Sequence, residues 1–539
     1  MNIRWKAAVA GIVLAGALLA GCGKPVTAVE KADKEQILLL GNGTEPQDLD
    51  PQVVTGVPED CILRALFEGL VSQDPHDLHA VPGTAESWDI SPDGKVYTFH
   101  LRKEAKWTDG QPVTADDFVQ SYKRILSPAL ASEYNYMLFP VKNAEAYSKG
   151  EIKDFAEVGF RALDERTLRV TLNDPTPYFL SLLNHYSWFA VPIRTILKFG
   201  KFDQRGTRWT RPENMVSNGP FRLKEWKTNS IIVVEKNPDY WDKDNVRLNA
   251  IKFFPIDNSN TEERAFRSGQ LHITNTVPLS KIDTYRKNEP NLFRNDTYLG
   301  TYFYRINVTK PFLRQKELRQ ALSLAIDRES IVKNITRGGE KPATSFTPPD
   351  TAGYFPKPEL RTDIPAAKAL LAKAGYPDGR GLPPIEILYN NDEAHRVIAE
   401  ALQEMWKKTL GIDVQLTNQE WKVYLDSQLQ MAYQICRAGW IGDYVDPNSF
   451  LNMWLTGGGN NETGWSNPQY DSLIAEAGRT TDPAARLAVF QKAESILLDD
   501  LPILPIYFYT SKFLIQPSVK GWYPTILNQH PYKYVYLEE

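Results

Sequence analysis

The stretch Arg437-Ala438-Gly439-Trp440-Ile441-Gly442-Asp443-Tyr444 collects a guanidinium, an indole, two glycines, a carboxylate and a phenol. Arg437 could pair with a carboxylate and Asp443 with an ammonium group. Trp440 offers a broad apolar face, and the glycines let another backbone come close. The same residues would also suit a strand end followed by a solvated turn with surface charges. Other chemistry is weakly represented. No HExxH, CxxC or GxSxG pattern and no phosphate-binding loop occurs, and Gly457-Gly458-Gly459 lacks the Lys-Ser/Thr such a loop needs. The closest histidines are His76 and His79, two ligands without a third. No metal, cofactor or catalytic constellation is expected.

The elements that would position the stretch follow from periodicity. Ala432–Cys436 reads as a buried strand leading into it, and Asp446-Pro447-Asn448 as a turn with a helix start. Upstream, Ile385–Tyr389 reads as a strand, Val397–Leu410 as a helix closed by Gly411, and Ile412–Leu416 as a strand. This strand-helix-strand order predicts a parallel sheet covered by helices, and such sheets bind ligands beyond the C-terminal ends of their strands. Arg314–Ile335 is expected to be helical. The first half is richer in strands: Ile37–Leu40, Val96–Leu101 after the turn Pro92-Asp93-Gly94, a hairpin of Val158–Ala162 with Leu168–Leu172, and Ile231–Val234. Helices are expected at Asp60–Leu70, Ala115–Ile125 and Thr261–Ser268, the last feeding a strand at Gln270–Thr274.

The chain has 539 residues, 42% hydrophobic and 24% charged, enough for two to four domains of ordinary globular composition. A net charge of -4, or about -6 once Arg4 and Lys6 are removed with a leader, argues against nucleic acid as partner. Arg4 and Lys6 precede an apolar run, Ala7–Ala20, too short to span a bilayer but suited to a signal peptide. It ends in Leu19-Ala20-Gly21-Cys22, which resembles a bacterial lipobox. Cys22 is then a lipidated N-terminus, and 22–35 a polar tether. Cys61 and Cys436 are too few for a disulfide framework, and whether they pair is not legible.

The motifs Ala80-Val81-Pro82-Gly83-Thr84-Ala85-Glu86-Ser87-Trp88, Tyr97–Arg102 and Trp107-Thr108-Asp109-Gly110 come in order with Ser217-Asn218-Gly219-Pro220-Phe221, Asn237–Trp241, Ala325-Ile326-Asp327-Arg328 and Asn418-Gln419-Glu420-Trp421. Together they resemble the extracellular solute-binding proteins, family 5, of peptide ABC importers, across essentially the whole mature chain. The resemblance implies an α/β, two-lobed periplasmic-binding-protein-like (Venus flytrap) fold of the class II, cluster C type. It implies three domains: I from 36–68, 195–295 and 511–539, II from 69–194, and III from 296–510. It further implies an extracytoplasmic, lipid-anchored, monomeric receptor that passes short oligopeptides to permease subunits served by a separate ATPase.

Carried over residue by residue, the resemblance makes Asp443 the partner of a peptide α-amino group and Tyr134 a neighbour of the peptide N-terminus. Arg437 and His395 would meet the peptide carboxylate at different peptide lengths. Trp421 and Trp440 would line pockets, and Gly439 and Ile441 would give backbone contacts. This sequence departs from the family pattern at Thr55, where an acidic residue is expected, and at Gln428, where an arginine is expected. It also has Gly300 and Ile441 at places where a close member of that family carries a cysteine pair. A specialised ligand (a cell-wall or signalling peptide, haem, a nickel chelate) is the rival expectation within the family, and an exported lipid-anchored hydrolase the rival outside it.

Overall fold

The computed structural model describes residues 26–538, so the leader and Cys22 lie outside the described residues. Three sheets carry the fold. In the first, the strands run in the order Ile37–Gly41, Ala250–Phe254, Ile231–Lys236 and Phe221–Lys227, the first pair parallel and the others antiparallel. The second is an antiparallel sheet of Ala85–Ile90, Val96–Leu101, Thr167–Thr171 and Phe160–Asp164. Its Val96–Leu101 strand follows a turn in which Gly94 takes φ +69° and donates its N–H to the Ser91 carbonyl, a conformation that favours glycine. The helix Ala115–Ile125 forms where expected, held at its start by a reciprocal Thr114–Asp117 capping box.

The third sheet has six strands, in the order Lys341–Pro342, Ile503–Leu514, Phe293–Ile306, Ile435–Ile441, Ile385–Asn390 and Val414–Gln419. The expected parallel sheet is therefore only its outer part. Ile385–Asn390 pairs in parallel with both of its neighbours, joined to Val414–Gln419 through the helix Glu393–Leu410, while the remaining pairs are antiparallel. The long strands Phe293–Ile306 and Ile503–Leu514 form a ribbon joining the third sheet to the first-sheet region. At one end Phe293 faces Leu514, and Ile515 bridges to Ile273. The ribbon loses regular register between Thr297 and Thr301.

Several local expectations are corrected. The 22–35 tether is helical from Ala28 to Glu35, with Val29 and Ala32 buried and a Thr27–Glu30 capping box. That box was present in the sequence as Thr-x-x-Glu, and the two small apolar residues supply the docking face. Arg314–Ile335 is broken into Lys316–Leu324, Arg328–Ser330 and a wider turn Ile331–Thr336, because Asp327 caps a new start through Ser330 N–H. The second helix spans Val57–Leu66 and stops four residues early. Gln270–Thr274 makes only isolated bridges through Ile273.

Candidate functional site

The strand Ile435–Ile441 continues through what was read as the loop after it, so Arg437 to Ile441 are strand residues. Side chains on a strand alternate, which sets Arg437, Gly439, Ile441 and, just beyond the strand, Asp443 on one face. The backbone groups alternate as well. Gly442 N–H bonds the Leu299 carbonyl and the Gln434 carbonyl accepts from Asn307, so the even positions serve the Phe293–Ile306 strand. The odd positions point to the other edge. There Ile385–Asn390 pairs only as far as Cys436, and the Arg437 carbonyl accepts from the Tyr424 hydroxyl and, at 3.3 Å, from Gln428. The peptide groups of Gly439 and Ile441 face an edge without a strand partner, which a ligand backbone can join.

This edge opens on a cavity of about 480 Å³ between the lobes, and all ten anticipated binding residues line it. At one end Asp443 is buried, its side chain 8% exposed. Its Oδ1 lies 3.5 Å from His185 Nε2, and its Oδ2 has no hydrogen-bond partner. His185 Nδ1 accepts from Ser187, which leaves the ring proton on the Nε2 facing Asp443. Burial holds His185 well below the usual imidazole range, so it is neutral and does not balance the carboxylate. Burial, reinforced by the Asp60 charge, pushes the Asp443 carboxyl well above its ordinary range. Tyr134 packs against His185 with ring centroids 4.5 Å apart and approaches Trp440 at 6.4 Å.

At the other end stands Arg437. Its Nη2 donates to the Tyr509 hydroxyl at 2.8 Å, its plane lies 4.8 Å from the Tyr302 ring, and its Nε has no partner. No carboxylate lies within 4.0 Å of it among the described residues. Gly439 is required here, because a Cβ would come within 2.5 Å of the Tyr509 hydroxyl. His395, in the first turn of Glu393–Leu410, has Nδ1 3.3 Å from the Tyr302 hydroxyl. Burial and then the Arg437 charge keep it well below the usual imidazole range. Trp421 begins the helix Trp421–Leu429 and stacks on Tyr424. Gln428 is 5% exposed and donates to Tyr424, Cys436 and the Arg437 carbonyl, so its amide braces the strand. Thr55 lies at the cavity wall on the opposite lobe. Gly300 and Ile441 are direct cross-strand neighbours, and Cys61 and Cys436 are both free.

His185, Tyr509 and Tyr302 were missed by sequence reading. None stands in a motif, and each reaches the site from a separate element. The lobes meet around the cavity. Tyr178 stacks on Tyr444 with centroids 5.1 Å apart and planes at 7°, and Asn460 donates to the Tyr136 hydroxyl at 3.2 Å.

Two α/β lobes that close over a cleft with an unbalanced carboxylate at one end and an unbalanced guanidinium at the other define a solute-binding protein. The chain belongs to the bacterial extracellular solute-binding proteins, family 5, whose middle region matches residues 79–462. It is 41% identical over 535 residues to the periplasmic oligopeptide-binding protein OppA of Escherichia coli, covering 97% of this chain and 96% of the relative. It superposes with a TM-score of 0.89 on Haemophilus influenzae OppA in complex with the peptide RPPGFSPFR, at 35% identity and covering 94% of this chain and 100% of that one. It superposes with a TM-score of 0.88 on a structure of the E. coli murein tripeptide-binding protein MppA, at 36% identity and covering 95% of this chain and 100% of that one. On the unliganded open form of MppA the score is 0.62, again at 36% identity and covering 94% and 98%. With the cross-lobe contacts above, that difference identifies the present arrangement as a closed one.

Proposed function

We propose that this protein captures short peptides between its lobes outside the cytoplasm and delivers them to the permease of an ABC importer. The observation that carries the reading is the pair of buried groups without an ion-pair partner at the two ends of the cavity, Asp443 just beyond the strand for a peptide ammonium and Arg437 on it for a peptide carboxylate. Between them the free edge at Gly439 and Ile441 can pair with the main chain that all peptides share. Tyr134, Trp421 and Trp440 supply apolar walls for side chains, Thr55 adds a neutral one, and His395 lies beside the carboxylate seat. Binding alone is asked of these groups: the protein is a transport component and not an enzyme. The oligopeptide-binding relatives support this ligand class.

The division of the chain into domains I (36–68, 195–295, 511–539), II (69–194) and III (296–510) is supported by the first sheet, which lies within the segments of domain I, and the second, which lies within domain II, while the long strands Phe293–Ile306 and Ile503–Leu514 of the third cross from domain III into domain I. We place a lipid on Cys22 from the lipobox resemblance, and incorporation of labelled fatty acid that is lost in Cys22→Ala tests it. The murein tripeptide-binding relative favours a second reading, in which one cell-wall peptide is the ligand. Native mass spectrometry of the protein as purified, followed by denaturation and sequencing of what is released, separates the two. A mixture of short peptides supports the permissive receptor, and a single peptide supports the specialised one. Haem or a metal chelate in place of peptide would overturn both.

A further inference from the structure

The segment from Thr27 to Gln36, expected as part of a polar tether, is fastened to domain I. Val29 and Ala32 are buried against Leu39, with Ile37 and Phe254 beside them. The Val29 N–H bonds the Gly269 carbonyl at 2.9 Å. His272 accepts from the Leu39 N–H through Nδ1, which leaves its proton on Nε2, 3.0 Å from Asp33. Gln36 exchanges two side-chain hydrogen bonds with the Leu537 backbone, at 2.8 and 3.2 Å. Gly269 is needed for the fit, because a Cβ there would stand 2.7 Å from that of Thr27. Only Gly23, Lys24, Pro25 and Val26 then separate Cys22 from the docked segment.

We infer that this docking turns the linker into a short leash, which lays the end of domain I around Thr27 and Gly269 against the headgroups of the membrane that carries the Cys22 lipid. The inference rests on the lipidation proposed above and adds the face that meets the bilayer. The five steps from Cys22 to Thr27 span at most about 18 Å in any conformation, against roughly 50 Å for a tether free as far as Gln36. The headgroup layer takes up about 6 Å of that reach. Thr27 therefore stays within about 12 Å of the headgroup surface, comparable to the screening length of about 8 Å at physiological salt. Arg264 and Arg267 are exposed in the turns that lead to Gly269, and Lys34 is exposed on the docked helix. The acids beside them are committed. Glu262 and Glu263 are buried, with Arg267 no nearer to Glu263 than 3.9 Å, Glu30 closes the Thr27 capping box, and Glu35 pairs with Lys31. This end therefore suits anionic headgroups. The helix Ser259–Arg267 starts at the cavity wall, where Ser259 and Glu262 stand, and runs about 13 Å to this end, so the leash holds the cleft away from the bilayer.

The test uses the full-length protein purified with its lipid and reconstituted in vesicles of phosphatidylcholine and phosphatidylglycerol. A fluorophore is attached to Ser268→Cys in a Cys61→Ala background, Cys436 being fully buried, and is quenched by a nitroxide on the lipid headgroup, which acts only at short range. Mass spectrometry first establishes whether Cys22 carries acyl chains. The expected result is strong quenching that falls at least threefold when twelve Gly and Ser residues are inserted after Lys24, a change outside the docked segment, and falls also in vesicles of phosphatidylcholine alone. Equal quenching with the native and the lengthened linker, or none with either, would overturn the leash and leave the lipid standing. Quenching unchanged in phosphatidylcholine alone would overturn the anionic preference. A Cys22 without acyl chains would overturn the lipid reading and the leash with it.

Discussion

Asp443→Asn is the most direct probe of the site. The substitution keeps the shape of the side chain and an oxygen for His185 Nε2, 3.5 Å away, and leaves the Asp443 N–H on Ser449 Oγ at 2.7 Å. No protein cation loses a partner, because Asp443 has none beyond the neutral His185. Beyond the contact with the Tyr134 hydroxyl, the effect therefore falls on the ligand ammonium. A hydrogen bond to a charged group contributes about 1.5 to 3 kcal/mol, or roughly a 10- to 150-fold loss of affinity. The carboxyl of Asp443 is raised by burial, so the unliganded protein holds its proton over a window above the ordinary carboxylate range. Binding an ammonium group there must expel that proton. Affinity thus falls as pH falls through this window, and calorimetry in buffers of different ionisation enthalpy should report proton release by the wild type and none by the variant. An N-acetylated peptide, having no ammonium, should bind wild type and variant equally weakly. Equal binding of acetylated and free peptides by the wild type would refute the reasoning, as would an unchanged affinity in Asp443→Asn.

Gly439→Ala should weaken peptide binding and also cost about 1–3 kcal/mol of stability, since its Cβ would stand 2.5 Å from the Tyr509 hydroxyl that anchors Arg437; thermal unfolding and calorimetry read the two effects. Glu262 is fully buried, accepts from the Asn275 and Thr276 N–H groups, and is pushed up to about 8 by burial. Its folded-state value lies above its unfolded one, so the folded protein binds the extra proton, and this group's contribution falls as pH rises from about 4.5 to about 8. Glu262→Gln should flatten that slope in urea unfolding. Arg124 and Asp50 form a fully buried pair with contacts of 2.7 and 3.1 Å; Arg124→Leu should destabilise by about 3–5 kcal/mol, measured by chemical denaturation, because it strands the carboxylate. Tyr178→Ala removes a stacking contact between the lobes without touching the cavity, and should weaken all peptides by one common factor in a binding series.

The charges at Arg437 and Asp443, their spacing and the intervening glycine were legible in the chain as residue types, while the strand face that Arg437, Gly439 and Ile441 share was not, because the stretch reads locally as a loop after the strand. Local signals made the helix Ala115–Ile125 and the hairpin of the second sheet readable from caps and turns. The helix Ala28–Glu35 carries a local signal too, its Thr27–Glu30 capping box, although its polar sequence otherwise resembles a tether. What the sequence could not decide was where the strand through Arg437 ends. Its length depends on pairing with Phe293–Ile306, more than a hundred residues away, and no local periodicity encodes that partner. Nor could it show that Gln428 is occupied, that His185 faces Asp443, or that Tyr509 holds Arg437, since those contacts join separate elements. Residue type determined which charges the site can offer. Tertiary packing decided which of them are neutralised by neighbours and which remain for a ligand, because an ion pair forms only where the fold brings two distant side chains within a few ångströms.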